Sequence, residues 1–389
     1  MGDEAFSTPQ MRKTRIVCIS DTHNQTPRLP KGDVLIHAGD LTNQGSFSEM
    51  KKMVDWLENA NFEAKIVVAG NHDITLDAPF YAMHGSSWRW PKPQDPEQCR
   101  KLFTDSSSIT YLENEAASIY LRSANGPQTC FKVYGSPCTP KRWNWAFQYE
   151  KEEAPKLWGA IPMDTDIVVT HTPPSGHCDT ALKDERSGCE ALLRALHRVR
   201  PLMAVCGHIH EGRGVERLRW NLNPPEKGSL REDVEKWNDP GLGNNRQSLE
   251  DLTAKGGRPL NNYGALLCQS NVSSLTTDDQ IWPSGGPSDG QAQFRVLKST
   301  CHTGSVSNNK ANAMTEGTIE CRQAYPQSDI GLTLVPDVGT AEGRMGRRET
   351  CVINAAFMGP RNGGGPKRFN KPIVVDIDLP VWIFQKPAQ

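Results

Sequence analysis

Residues 15–40 read RIVCISDTHNQTPRLPKGDVLIHAGD, and this stretch decides the fold. It holds two short apolar runs, RIVCIS at 15–20 and DVLIHA at 33–38, each followed at once by small or polar residues. Such runs are typical of strands buried on both faces. A third run, KIVVA at 65–69, follows a helical stretch. The order strand, helix, strand indicates an α/β fold.

Further strands and helices are predicted along the rest of the chain. Apolar residues at helical spacing predict helices over 48–60, with Ser48 as the N-cap, and over about 189–199. The predicted later strands are CFKVYG (130–135), DIVVT (166–170), LMAVC (202–206), TCVINAAF (350–357) and KPIVVDIDL (371–379).

Residues 221–346 differ from the rest of the chain. They are rich in Gly, Ser, Asn and Pro and hold only five aromatic residues, which leaves little material for a core. We therefore predict one α/β domain over 14–220 and 347–389, a flexible N-terminus over 1–13, and a long irregular insertion over 221–346. The insertion is either a solvated, partly flexible excursion or a lid over a functional site, and its residues 232–237 are compatible with a short helix.

Composition excludes several classes of protein. The 389 residues carry 44 basic and 45 acidic side chains, a net charge of −1, so no global positive field favours nucleic acid or an anionic membrane. No apolar run approaches the roughly 18 residues of a membrane span. Eleven cysteines without metal-ligand spacing, and a start without an apolar signal segment, predict a cytoplasmic protein with reduced thiols. The oligomeric state stays open.

Polar groups follow five of the predicted strands. Ligands of open α/β sheets bind beyond the carboxyl ends of the strands, so we expect these groups to meet at one edge. Taken alone, a strand-end His is more often structural, Asp40 fits a cap and Asn71 fits a turn. Their coincidence favours a site. The groups are Asp21 and His23, Asp40, Asn71 with His72 and Asp73, His171, and His208 with His210.

This set of side chains suits divalent metals. Mixed nitrogen and oxygen ligands favour Mn, Fe or Zn over Ca or Mg. A single catalytic zinc needs about three protein ligands, and seven of these nine groups are candidate ligands, so two metal ions fit better. A metal pair about 3.5–4 Å apart can share one carboxylate and lower the pKa of a bridging water to roughly 7.

The motifs in order resemble those of the calcineurin-like metallophosphoesterases. They are Asp21-x-His23, Gly39-Asp40, Gly70-Asn71-His72-Asp73, His171 and Gly207-His208-x-His210. Closer features resemble the metallophosphoesterase-domain-containing branch, whose members act as phosphodiesterases. These features are Tyr134-Gly135-Ser136-Pro137, Thr170-His171-x-Pro173-Pro174 and Gly207-His208-Ile209-His210-Glu211-Gly212-x-Gly214. The resemblance implies a two-sheet αββα sandwich, and the insertion departs from that branch.

The resemblance also implies roles for the matching residues. Asp21, His23 and His210 would bind the first metal. Asn71, His171 and His208 would bind the second, and Asp40 would bridge both. His72 would protonate the leaving alkoxide after attack by a metal-bridging hydroxide, and Asp73 would either orient His72 or cap a helix.

We therefore expect a metal-dependent phosphodiesterase acting on nucleotide-like or other small phosphodiesters. Two alternatives stay open: a phosphomonoesterase or protein phosphatase, and a nucleotide-binding regulatory protein with slow turnover. Near-neutral charge makes large nucleic acids less attractive substrates than small molecules.

Four residues carry weaker hypotheses of substrate contact. Arg142, Trp143 and Trp145 follow a predicted strand end, and aromatic residues there would stack a nucleobase or else roof the core. His177, in the loop after His171, is a candidate contact of the leaving group. His37 lies within a predicted strand, where a core position is favoured.

Overall fold

A computed structural model describes residues 10–88, 90–181, 186–223, 228–239, 246–262, 346–360 and 368–382. The first strands are β1 (Met11–Ile19), β2 (Val34–Ala38), β3 (Ala64–Val68), β4 (Thr110–Tyr111), β5 (Glu115–Tyr120), β6 (Cys130–Ser136), β7 (Thr139–Pro140) and β8 (Gln148–Tyr149). The later strands are β9 (Ile167–Thr170), β10 (Met203–Cys206), β11 (Gly214–Trp220), β12 (Arg231–Lys236), β13 (Ser248–Leu252), β14 (Glu349–Asn354) and β15 (Ile373–Pro380). The α-helices are α1 (Phe47–Glu58), α2 (Ala78–His84), α3 (Pro96–Thr104), α4 (Ala154–Gly159) and α5 (Glu190–Val199).

The strands form two large sheets. One has the order β13-β15-β1-β2-β3-β4 and the other has the order β12-β11-β14-β10-β9-β6-β5. Strands β1 to β4 are mutually parallel, as are β6, β9, β10 and β14. Because parallel neighbours end on the same side, each sheet presents a set of carboxyl ends to one edge.

Apolar side chains divide the molecule into layers. Ile16, Ile36 and Val68 of the first sheet share a buried cluster with Val169 and Val205 of the second. A separate cluster joins the other face of the first sheet to α1 and α3, and another joins the second sheet to α4 and α5. The predicted two-sheet αββα sandwich is confirmed.

Two local predictions were wrong. The N-cap of α1 is Ser46, because Glu49 three residues later completes a capping box with it, which Ser48 does not do. Residues 231–236 form the edge strand β12, paired antiparallel with β11, where a short helix was expected. Backbone pairing with a neighbouring strand overrides the helix propensity of this charged segment.

Parts of the predicted insertion join the sandwich itself. Strand β12 extends the second sheet, and β13 pairs parallel with β15 at the edge of the first sheet. Residues 224–227, 240–245 and 263–345 lie outside the described residues, as do 1–9, so the lid and the domain boundaries stay predictions. In the described part of the chain, no helix has the length and apolarity needed to cross a membrane.

Candidate metal centre

The loops after β1, β2 and β3 meet the loops after β9 and β10 at one edge of the sandwich. The backbone N–H of Asp21 donates to the Gly39 carbonyl at 2.9 Å, joining the first two loops. Ser20 forms a bridge with Ala356, beyond β14, and so connects the two sheets at this edge. The convergence expected from the parallel strand ends is therefore present.

The backbone at this edge is bent into the left-handed region. Asp21, His23, Asp40 and His208 have φ values of 54°, 43°, 52° and 67°. Non-glycine residues avoid this region, at a cost of roughly 1–2 kcal/mol each. Four strained residues among seven predicted ligands support a functional constraint on where these side chains point.

Glycines make room for the same side chains. A Cβ on Gly39, which has a φ of +100°, would lie 2.4 Å from His171 Nδ1. A Cβ on Gly207 would lie 2.2 Å from Asp21 Oδ2. The glycines beside the predicted ligands therefore permit the close packing of the centre, a role that only the absence of a side chain provides.

One group of potential ligands comprises Asp21, His23 and His210, whose ligand atoms lie within 4.8 Å of one another. His210 Nε2 lies 3.3 Å from Asp21 Oδ1. His23 is 3% exposed, and its Nε2 is buried without a hydrogen-bond partner in the described chain. A buried, unpartnered imidazole nitrogen beside a carboxylate fits a bound cation.

A second group comprises Asp21, Asp40 and His171. His171 Nδ1–H donates to the Ala38 carbonyl at 2.8 Å, which directs Nε2 into the site. That nitrogen lies 3.1 Å from Asn71 Oδ1 and 3.3 Å from Asp40 Oδ1. In the neutral ring, three lone pairs face one another, an arrangement that a cation or a proton must bridge. The donors present therefore fit a divalent metal.

The ionisation of these groups suits metal binding. Burial lowers the pKa of His23 to about 4 and that of His208 to about 3, so both rings carry free lone pairs at neutral pH. Burial opposes charge at His171 too, yet the Asp40 carboxylate raises its pKa to about 9. A position that attracts a proton this strongly also attracts a cation, and metal binding there displaces the proton.

His72 and His208 lie next to these groups. One ligand atom of His72 is within 4.8 Å of those of His23 and Asp40. His72 Nδ1–H donates to the Asn43 carbonyl at 2.8 Å, so Nε2 is the ring nitrogen that this hydrogen bond does not occupy. The rings of His208 and His171 are 5.0 Å apart. The structure thus brings the seven predicted ligands and His72 into one neighbourhood.

Asp73 is used differently from both expectations. Its buried carboxylate accepts hydrogen bonds from the backbone N–H groups of Gly70, Leu41 and Thr42, and from the Thr42 hydroxyl. Asp73 stands at the N-cap position of the following 3₁₀ turn, but its side chain makes no capping hydrogen bond there. These bonds join the loops after β2 and β3 and position the predicted ligands on them. The described bond of the His72 ring goes to the Asn43 carbonyl and not to Asp73.

The aromatic loop after β7 reaches this neighbourhood. The ring of Trp145 lies 4.1 Å from that of His72 and 5.1 Å from that of Trp88. Trp143 is 75% exposed with a φ of 63°, and the Arg142 guanidinium lies 4.8 Å above its ring. Trp145 therefore packs against the site, while Arg142 and Trp143 face solvent.

Two other histidines have partners elsewhere. His177 is 1% exposed, its Nδ1 lies 2.6 Å from Glu216 Oε2, and its Nε2 contacts Arg231. Both ring nitrogens of His177 have partners, so the geometry does not support the expected contact between His177 and substrate. His37 is buried with Nε2 2.9 Å from the Thr22 hydroxyl, a core position.

Sequence reasoning missed Asn354, at the end of β14. Its buried side chain donates to the carbonyls of Cys178 and Ile209 at 2.9 and 2.8 Å, and accepts from the Ala356 N–H. It thereby supports the loop that carries His208 and His210. The available signal was an amide within an otherwise apolar strand, where a buried amide needs partners.

A sheet edge that gathers carboxylates and imidazoles in this way defines a metal-binding α/β sandwich. Residues 14–212, just over half of the chain, match the calcineurin-like phosphoesterase family, and the chain belongs to that family. The resemblance expected from the motifs is confirmed.

Individual relatives share the same region. The chain is 40% identical over 214 residues to metallophosphoesterase domain-containing protein 1 of Homo sapiens, covering 52% of this chain and 62% of that protein. A UPF0046 protein of Caenorhabditis elegans is 36% identical over 203 residues, 52% of this chain and 65% of that protein. These matches support the expected branch.

A third relative has a different name. A protein of Emericella nidulans named "Probable rhamnogalacturonate lyase C" is 42% identical over 223 residues, which cover 56% of this chain and 19% of that protein. In all three comparisons the match spans less than two thirds of the relative's length. The names describe those whole proteins.

The contacts at Gly70 predict the effect of adding one methyl group. A Cβ there would lie 2.3 Å from Asp40 Oδ1 and 2.8 Å from His171 Cε1. Gly70→Ala should displace both side chains, lower the bound metal per chain and cost about 1–3 kcal/mol of unfolding free energy. Metal analysis and thermal unfolding measure these effects.

Gly159→Ala is the matched control. Nothing lies within 4 Å of a Cβ at Gly159, at the end of α4. This variant should keep its metal and its stability. Equal metal contents in the Gly70→Ala and Gly159→Ala proteins would contradict the close packing of the centre.

Proposed function

We propose that the chain is a metal-dependent hydrolase of phosphodiester bonds with two divalent metal ions, Mn, Fe or Zn. One observation carries the proposal. Asp40 Oδ2 lies 3.7 Å from His23 Nε2, and Asp40 Oδ1 lies 3.3 Å from His171 Nε2. One carboxylate thus faces a different imidazole with each oxygen, as a ligand shared by two ions does.

The remaining ligands divide around Asp40. Asp21, His23 and His210 would hold one ion, and Asn71, His171 and His208 would hold the other, as the family resemblance implies. When bound, the ions supply Lewis-acid stabilisation of the phosphoryl group and a water of lowered pKa. The buried Asp21 and Asp40 keep the site anionic, because nearby histidines hold the pKa of Asp40 well below its usual range against the effect of burial.

His72 is placed to assist the leaving group. Its Nδ1–H is fixed by the Asn43 carbonyl and its ring packs against Trp145, so the orientation of Nε2 is set before substrate binds. When Nε2 also carries a proton, a ring held in this way can donate that proton to a departing alkoxide and remain as the neutral imidazole with its Nδ1–H in place. Asp73 acts indirectly: its carboxylate holds the backbone of the loops after β2 and β3, which carry Asp40 and Asn71.

Arg142, Trp143 and Trp145 favour a flat substrate group, such as a nucleobase. Trp143 has a strained backbone conformation, and the residue is 75% exposed, so burial offsets little of the cost of that strain. A base can stack on such a ring, and the Arg142 guanidinium adds a positive charge beside it. We therefore propose nucleotide-like or other small phosphodiesters as the substrates.

The free thiols among the described cysteines support a reducing compartment such as the cytoplasm.

The reaction class is tested with bis(4-nitrophenyl) phosphate and 4-nitrophenyl phosphate on the Mn-loaded protein. We expect faster hydrolysis of the diester. Asp40→Asn should lower kcat by a factor on the order of 10³ or more and reduce bound metal, since several kcal/mol of charge stabilisation depend on the ions. Asp55→Asn, on the exposed face of α1, is the control. Full rate and two ions in Asp40→Asn, or preference for the monoester, would contradict the proposal.

A comparison of substrates with different leaving groups tests the proposed role of His72 in proton transfer. His72→Gln should keep the bound metal and lower the rate about 10²–10⁴-fold for diesters with an alkoxide leaving group, with a smaller loss for 4-nitrophenol, which needs little protonation. His84→Gln, at the end of α2, is the control. An equal loss for both leaving groups would remove His72 from proton transfer.

A comparison of substrates tests Trp143. Trp143→Ala should raise KM for adenosine 2′,3′-cyclic phosphate roughly 5- to 150-fold, as expected for a lost stack of about 1–3 kcal/mol, and leave KM for base-free ribose cyclic phosphate unchanged. Met83→Ala, at a similarly exposed apolar residue, is the control. If both KM values rise together, Trp143 does not recognise the base.

A further inference from the structure

A separate cavity lies between the loop at 175–177, helix α5 and strand β12. Its volume is about 570 Å³, within the range of about 300–1,000 Å³ typical of small-molecule sites. No proposed metal ligand is among its described lining residues. Strand β12 comes from the predicted insertion, so the insertion creates this cavity by adding an edge strand to the second sheet.

A chain of buried groups fixes one cationic side chain at this cavity. Glu216 Oε2 lies 2.6 Å from His177 Nδ1, and the opposite ring nitrogen, Nε2, contacts Arg231 Nη1. The carboxylate orients the imidazole, and the imidazole orients the guanidinium. Arg231 pairs with no carboxylate among the described residues. Held by an imidazole, Arg231 keeps its positive charge available for a ligand.

A second guanidinium points to the same place. A Cβ on Gly176, which has a φ of +83°, would lie 3.0 Å from Arg231 Nη1 and 3.3 Å from Arg186 Nη1. The two cationic groups therefore converge over one glycine. Two guanidinium groups this close repel each other, and a bound anion would relieve that repulsion. Planar guanidinium groups also match phosphate oxygens well.

The acidic residues around the cavity are largely engaged. Glu216 binds His177, and Glu190 lies 3.2 Å from Arg194. Asp179 accepts two backbone N–H groups with Oδ2, and its Oδ1 forms an ion pair with Arg186 Nη1 at 3.6 Å. Glu232 and Asp233 are exposed on the edge strand, where solvent screens them, and Lys236 adds a third cation to the lining.

We infer that this cavity binds a phosphate group through Arg186 and Arg231, at a site separate from the metal centre. Free phosphate and the phosphate of a small organic monoester share this chemistry. The cavity has room for more than one phosphate, which favours the monoester.

Calorimetric titration of the full-length, metal-loaded protein with ribose 5-phosphate and with inorganic phosphate tests the inference. Arg231→Gln should weaken binding at this site about tenfold or more, the loss expected for a charge-assisted hydrogen bond. Arg28→Gln, which removes an equal charge from the exposed segment between β1 and β2, outside the cavity lining, should change affinity less than twofold. Tighter binding of ribose 5-phosphate identifies the organic monoester, and equal affinity identifies free phosphate.

Two further variants separate this site from the metal centre and from misfolding. Asp40→Asn should keep the Arg231-dependent binding. Arg186→Gln should weaken this binding as Arg231→Gln does, and the Arg186→Gln and Arg231→Gln proteins should both keep the wild-type melting temperature. Equal affinity in Arg231→Gln and Arg28→Gln would overturn the site. Loss of all phosphate binding in Asp40→Asn would do the same, because the metal centre would then account for it.

Discussion

The structure depends on two carboxylates, Asp21 and Asp40, that are buried together at the sheet edge. Oxygens from the two groups lie within 4.8 Å of each other. At an effective dielectric constant of about 20, two unit charges at this separation repel by roughly 3–4 kcal/mol. The imidazoles of His171 and His210 offset part of this repulsion, and a divalent cation would offset more. The left-handed turns and the glycines at the strand ends all serve to bring these charges together.

The sequence could predict that these side chains meet, because parallel buried strands leave a simple signal. An apolar β-branched run such as residues 15–20 ends where Asp21 begins, and strands that end on one side bring such residues to one edge. Contacts that depend on tertiary structure had no such signal. Asn354 supports the His208–His210 loop from a strand distant in sequence, and Asp73 bonds a neighbouring loop where a cap or a His72 contact was expected.

The structure of segment 231–236 also depends on a tertiary contact that has no signal in the local sequence. Its charged residues favour a helix locally, but β11 offers a free edge, and pairing with it makes β12. His177 was predicted near the substrate because its loop follows His171, whereas Glu216 and Arg231 hold it at the cavity instead. The fold thus places the proposed metal centre at the strand ends and the proposed phosphate site beside the edge strand that the predicted insertion adds.

Anomalous X-ray diffraction from crystals of the Mn-loaded protein would show whether two ions share Asp40. We expect two manganese peaks about 3.5–4 Å apart, with the Asp40 carboxylate between them and His23 and His171 on opposite sides. A single peak, or two peaks that do not share Asp40, would rule out a shared carboxylate.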